Sequence, residues 1–303
     1  MFNLNKLQLS GIAIIMVILT HTGINIFYPG FMGVDIFFFL SGFYLCNSYK
    51  KHSLAEFYNR RFKRIIPMFL FLAIAMSIKF YYTNEKITIW DFLGNITTVS
   101  YYIPSSNFVD WYLSSLFAFY LLYPLFYKLM SNKWNLYILC ILQISVFAIF
   151  ALFDLHWRYE CALGRIPVFC MGIIAYHYMR CEDKVNKPFI FATISCLIVI
   201  PAIALYKGGS NVINTYYLVY LVAPICIYLL ILIMSKVKFH SCIKKLLDFC
   251  GKYSLELYVA NILSLNFIFF GQRALSTIML TIILGSICIV YNKQANKLID
   301  KLS

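Results

Sequence analysis

Two ionisable residues stand inside apolar runs of this chain. His21 falls in Leu9–Phe27, and Asp35 opens the next run, Val34–Ser48. His21 lies seven residues before Tyr28 and Asp35 seven after it. A turn near Tyr28 between two helical arms would therefore bring the two side chains to similar depth. A carboxylate beside an imidazole fixes the ring's tautomer and stabilises the imidazolium, which is what a general base for a hydroxyl needs. The plainer alternative is a histidine that hydrogen-bonds a neighbouring helix. Ionisable groups at membrane depth are costly, so such a pair reads first as a functional site.

A basic cluster, Arg60-Arg61-Phe62-Lys63-Arg64, precedes Ile65-Ile66-Pro67 and a third apolar run. Guanidinium groups grip phosphates bidentately, so Arg60, Arg61 and Arg64 would suit a phosphorylated cytosolic ligand. On charge alone, a topological and lipid-headgroup role is the simpler reading.

These residues need helices in a membrane to position them. The chain is 62% hydrophobic and 13% charged over 303 residues, far from a soluble average. Ten apolar runs approach the length of a bilayer crossing: Leu9–Phe27, Val34–Ser48, Ile65–Tyr82, Trp111–Tyr127, Leu136–Phe153, Ile166–Met179, Phe189–Tyr206, Tyr216–Met234, Tyr253–Phe270 and Thr277–Tyr291. With both termini cytoplasmic, the inner segments collect 20 of the 26 basic residues. The formal charge of +14 is then a topology signal, not a nucleic-acid surface. The expected fold is all-α, a polytopic helical bundle forming one domain over residues 1–303. Between the third and fourth runs, Ile87–Leu93 suits a short interfacial helix with Trp90 at headgroup level. The first run is too long for a cleaved signal peptide and leads into further spans. The ten cysteines fall mostly inside apolar runs, with no Cys-x-x-Cys pair, and read as reduced packing residues.

Several blocks, in order along nearly the whole chain, resemble the acyltransferase-3 family of membrane O-acyltransferases that modify bacterial surface carbohydrates. They are Gly11-Ile12-Ala13-Ile14 leading to Thr20-His21-Thr22, the more specific Gly33-Val34-Asp35-Ile36-Phe37-Phe38-Phe39-Leu40-Ser41-Gly42-Phe43, and Arg60 to Pro67. Trp111-Tyr112-Leu113 with Tyr120 and Pro124, Arg165-Ile166-Pro167-Val168-Phe169 with Gly172, and Gly251 to Tyr258 with Ser254 extend the match. Three departures stand out: Ser10 where the family usually has a basic residue, Leu116 and Phe117 where an acidic residue often follows, and Asn261 where a histidine commonly ends the late block. Ser10 lies about 16 Å along a helix from His21.

The resemblance implies an acyl-CoA donor, most commonly acetyl-CoA, as co-substrate. It implies no bound cofactor and no metal. Arg60, Arg61 and Arg64 would hold the donor's phosphates at the cytoplasmic mouth. His21 would deprotonate an acceptor hydroxyl on a surface carbohydrate or its lipid-linked precursor, with Asp35 as its orienting partner. Trp111 and Tyr112 would stack on the sugar or belong to an aromatic belt. Tyr120, Ser254 and Tyr258 would support the acceptor side, and Arg165 would bind acceptor or pair with Asp110 or Glu160. Glu256 reads as a partner of Lys252 or as a functional group. Lys79 snorkels outward. His52, His156, His177 and His240 carry no assigned chemistry. The protein would reside in the cytoplasmic membrane, with the bilayer, acyl-CoA and carbohydrate as partners and no nucleic acid. Oligomeric state has no signal in these residues. The rival reading is an exporter or flippase for a lipid-linked sugar, against which stands the lack of detectable inverted repeats. A third is an inactive relative with an assembly role.

Overall fold

Apolar composition makes helices obligatory wherever the backbone meets lipid, because every peptide group must be satisfied within its own segment. The computed structural model describes residues 5–82, 88–103, 110–153, 155–180, 236–265 and 273–302, with scattered residues between 223 and 234. Among these residues the chain is helical and contains no strand. In chain order the helices are α1 (Lys6–His21), α2 (Met32–Lys51), α3 (Leu54–Tyr82), α4 (Ile89–Ile96), α5 (Trp111–Leu121), α6 (Tyr123–Met130), α7 (Asn135–Leu152), α8 (Trp157–Leu163), α9 (Ile166–Arg180), α10 (Ser241–Lys252), α11 (Ser254–Ser264) and α12 (Arg273–Leu302).

Among the described residues, four helical stretches are long and apolar enough to cross a membrane: Asn25–Lys51, Leu54–Tyr82, Trp157–Tyr178 and Arg273–Lys301. Counting α5 and α6 as one broken span makes five. The ten runs of the sequence thus resolve differently. The first helix stops at His21, and Asn25–Phe31 forms a 3-10 turn. The fourth run breaks at Leu122, where Pro124 sits in the first turn of α6, a position that tolerates its missing N–H. The seventh and most of the eighth, Phe189–Tyr206 and Tyr216–Met234, lie outside the described residues. α12 leaves Leu275, Met279, Ile282, Ile283, Ile287 and Val290 exposed, a stripe suited to lipid and to no aqueous surface.

The expected short helix is α4. It is closed by a capping box in which the Thr88 hydroxyl accepts from the Asp91 N–H and the Asp91 carboxylate accepts from the Thr88 N–H. Trp90 on it is 76% exposed. The cysteines of the described residues are all free.

Contacts divide the chain into two compact units. One comprises Asp35–Lys51 of α2 with α6 to α9. Within it α2 and α9 run parallel and in close approach. A Cβ on Gly42 would overlap the Phe169 carbonyl oxygen, and one on Gly172 would overlap that of Phe39. Asp35 and Arg165 each stand seven residues before these glycines, on the same faces, and their side chains pair. Small residues let two backbones meet this closely without water between them.

The second unit holds α1, α3 to α5 and α10 to α12. α1 packs closely on α10, with Gly11 against the Leu247 carbonyl and Gly251 against that of Leu7. Phe62 of α3 stacks on Phe117 of α5, and Phe71 meets Tyr291 of α12. Glu256 of α11 accepts from the Asn292 side chain at 2.7 Å, so its partner is Asn292 and not Lys252. The Lys252 ammonium lies 5.2 Å from the Tyr253 ring centroid instead. Lys79 likewise lies 5.4 Å from the Phe80 ring.

Candidate active site

α1 ends where its chemistry begins. His21 is its last residue, and Gly23 follows at φ +78°, the left-handed conformation that closes helices and that glycine adopts without strain. The absence of a Cβ there leaves room for the Arg273 side chain, whose Nε–H donates to the His21 carbonyl at 3.3 Å. Thr20 Oγ1 lies 3.1 Å from the Met16 and Phe27 carbonyls, tying the 3-10 turn back onto the helix.

The His21 ring is half-buried, and its Nδ1 meets Asn261 Oδ1 of α11 at 2.5 Å. Its Nε2 has no hydrogen-bond partner among the described residues. Behind it lies a buried polar group: Asn261 Nδ2 donates to Thr281 Oγ1 at 3.1 Å, and Ser264 adjoins both. Asn261, Ser264 and Thr281 are at most 2% exposed.

The partner at His21 Nδ1 is Asn261, where the sequence reading had Asp35 as the orienting partner of the ring. The Asp35 carboxylate is fully buried in the other unit and pairs with Arg165 Nε at 3.4 Å. The reason is register: parallel packing of α2 on α9 sets position 35 against 165. Arg165 also donates from Nη1 to the Cys161 carbonyl at 3.0 Å. Asp35 is thus a charged partner of Arg165.

Asp110 instead caps α5. One carboxylate oxygen accepts from the Leu113 N–H at 2.7 Å and the other from the Tyr258 hydroxyl at 2.8 Å. Tyr112 packs edge-on against Tyr258 with centroids 4.8 Å apart. Tyr112, Tyr120, Tyr258 and Ser254 are all buried, while Trp111 is half-buried. Of the two aromatic residues expected to stack on a sugar, Tyr112 is thus committed to packing.

At the other end of α1, about 22 Å along the helix, stands Lys6. It precedes the apolar run. Desolvation, and then the charges of Arg64 and Arg61, lower its pKa to about 8. Arg60 and Arg64 are exposed, and Arg61 is half-buried with its guanidinium 6.0 Å from the Phe57 ring. Lys6 is four residues before Ser10, hence on the same helix face one turn away. That spacing was readable in the sequence as a neighbouring source of positive charge. Asn261 was visible there only as a departure from a pattern, and Arg273 had no signal beyond being basic. Three of the four remaining histidines have local structural partners: His52 pairs with Glu56, the His156 ring caps α8, and His177 bonds Ser131.

The acyltransferase-3 family model, described as an acyltransferase domain, matches residues 9–291, which include His21 and all or most of every helix named above, while Lys6 lies outside the match. The chain belongs to the acyltransferase-3 family. Among its relatives, a putative acetyltransferase of Acidianus two-tailed virus is 28% identical over 79% of this chain and 74% of the relative. An acyltransferase named MdmB, of Streptomyces mycarofaciens, is 33% identical over 34% of this chain. The peptidoglycan O-acetyltransferase OatA of Listeria monocytogenes is 31% identical over 43%. This chain spans 30% and 21% of the length of those last two. No solved structure matches it. Membership makes this membrane protein an acyltransferase.

Proposed function

We propose that the chain is a multi-pass O-acyltransferase of the cytoplasmic membrane. It moves an acyl group, acetyl in the first instance, from cytosolic acyl-CoA to a hydroxyl of a cell-surface carbohydrate or its lipid-linked precursor. The observation that carries this reading is the separation along α1 of a cationic end, Lys6 with Arg61 and Arg64, from an imidazole whose Nε2 is left available. Cations suit the phosphates of a CoA donor, and an unprotonated ring nitrogen suits a hydroxyl acceptor. In the reaction, His21 Nε2 takes the hydroxyl proton as the acceptor oxygen attacks the thioester carbonyl carbon. The C–S bond then breaks, and the departing thiolate takes a proton from the imidazolium. The products are an ester and free CoA thiol, with the imidazole returned to its neutral form. Both termini are assigned to the cytoplasm, on the strength of the basic residues that gather there.

Lys6 supplies a positive charge near the place where Ser10 lacks one. Replacing it by glutamine is expected to raise the KM for acyl-CoA about tenfold and leave kcat nearly unchanged, the loss of one charge-assisted phosphate contact. Initial rates in membrane vesicles over a range of acetyl-CoA concentrations measure this.

The test of the reaction class is chemical analysis of envelope carbohydrate for base-labile acyl esters, with and without the gene. Loss of esters from otherwise unchanged carbohydrate is expected. Carbohydrate missing from the surface, with its esters intact on the retained precursor, would replace the enzyme with an exporter.

A further inference from the structure

The direction of each hydrogen bond behind His21 can be worked out from proton inventory. The Ser264 hydroxyl donates to the Asn261 backbone carbonyl at 2.7 Å. The Thr281 hydroxyl has one proton, and its shortest acceptor is the Thr277 carbonyl at 2.6 Å, with Ser264 Oγ at 3.2 Å as the longer alternative. Either way that proton points away from Asn261. Thr281 Oγ1 therefore faces the amide as an acceptor, and the amide must turn its NH2 toward it. This leaves Asn261 Oδ1 facing the ring. An oxygen that can only accept requires a proton on Nδ1, which in a neutral imidazole places the lone pair on Nε2.

We propose that Asn261 and Thr281 are a neutral positioning pair that fixes the tautomer of His21, so that Nε2 is the basic nitrogen of the acyl transfer. The inference rests on the reading of His21 as the base. Three features make the pair suited to the task. Its members are buried, so water does not compete for the amide. It sits on α11 and α12, which pack closely on each other, so the amide is held by rigid elements. It terminates in helix backbone carbonyls, which cannot reverse their polarity. An amide orients the ring without the charge of a carboxylate, so the imidazolium formed during transfer is held in place but gains little electrostatic stabilisation from its partner.

Charged groups around the ring are few. Arg273 of α12 lies beside it, and the further charges of that helix begin at Lys293, about 30 Å along its axis. The 3-10 turn contributes Tyr28. α10 meets α1 at Leu7 and Gly11, toward the end away from His21, so its Lys244, Lys245, Asp248 and Lys252 are not beside the ring, and on α11 Glu256 and Tyr258 bond Asn292 and Asp110. A carboxylate introduced at position 261 would therefore be a new charge in direct contact with Nδ1.

The test uses membrane vesicles containing the full chain, labelled acetyl-CoA, and base-labile label on the vesicles' own acceptor. Asn261→Asp is expected to keep activity at high pH and to move the acid limb of the kcat/KM profile upward by about one pH unit or more. Asn261→Ala and Thr281→Val are expected to lower kcat about tenfold to a hundredfold, with KM for acetyl-CoA within about twofold of wild type. An unshifted acid limb in Asn261→Asp, or wild-type kcat in Thr281→Val, overturns the pair. Should Asn261→Asp not insert, Thr281→Val alone decides, because it keeps the side-chain shape and removes the hydroxyl that accepts from Asn261. The underlying reading fails separately: wild-type activity in His21→Ala removes the base itself, whereas an inactive His21→Ala with an unshifted Asn261→Asp removes only the positioning pair.

Discussion

Ester formation is expected to fall about a hundredfold to ten-thousandfold when His21 is replaced, the usual contribution of a positioned general base. Alanine at this position also strands Asn261 Oδ1 without its donor, at a cost of about 1–3 kcal/mol for an unsatisfied buried acceptor. His21→Gln controls for that cost, because a glutamine amide can donate toward Asn261 yet offers no nitrogen of useful basicity. Both variants should lose activity, with His21→Gln closer to wild type in thermal unfolding. The measurement is base-labile label transferred from acetyl-CoA in vesicles carrying equal amounts of protein. His21→Gln at more than a tenth of wild-type activity would contradict the assignment.

The sequence made His21 and Asp35 conspicuous for a sound reason: ionisable groups are rare in apolar helices. It also suggested that they meet, whereas the partners found are Asn261 for His21 and Arg165 for Asp35. A turn near Tyr28 makes the two residues symmetric in sequence, but a helix meets its neighbours through faces, and the face bearing Asp35 is set by its packing on α9. The clue was present in a different interval. Asp35 precedes Gly42 by seven residues, and Arg165 precedes Gly172 by seven, so one parallel register joins both pairs. Such pairing across 130 positions is invisible to any local reading of periodicity. The helical class and the apolar runs were legible because the bilayer leaves the backbone no alternative. The ends of those runs were less so: His21 closes its helix because Gly23 follows it, and the fourth run breaks at Leu122 beside Pro124. Asn261 could not be recognised as a partner of His21, since the two are 240 residues apart. Donor-side charge was better advertised, because Lys6 and Ser10 share a face by simple helix geometry.

The Asp35–Arg165 pair decides what the most family-like stretch of the chain is for. Asp35 is fully buried and Arg165 is 4% exposed, so neither charge has water to fall back on. Removing one partner is expected to cost about 3–5 kcal/mol, because the remaining buried charge loses the opposite charge that faces it. Asp35→Asn and Arg165→Met should therefore each lower the unfolding temperature in detergent by a large margin. Combining Asp35→Leu with Arg165→Met replaces both charges by apolar groups at the α2–α9 contact. Since apolar replacements of a buried pair are often neutral or stabilising, most of the lost stability should return. Ester formation is expected to return with it, because the ring nitrogen of His21 is held by Asn261 and the pair's work is to fix two helices in register. A double variant that regains stability but not ester formation would overturn this and put the Asp35 carboxylate back into the chemistry.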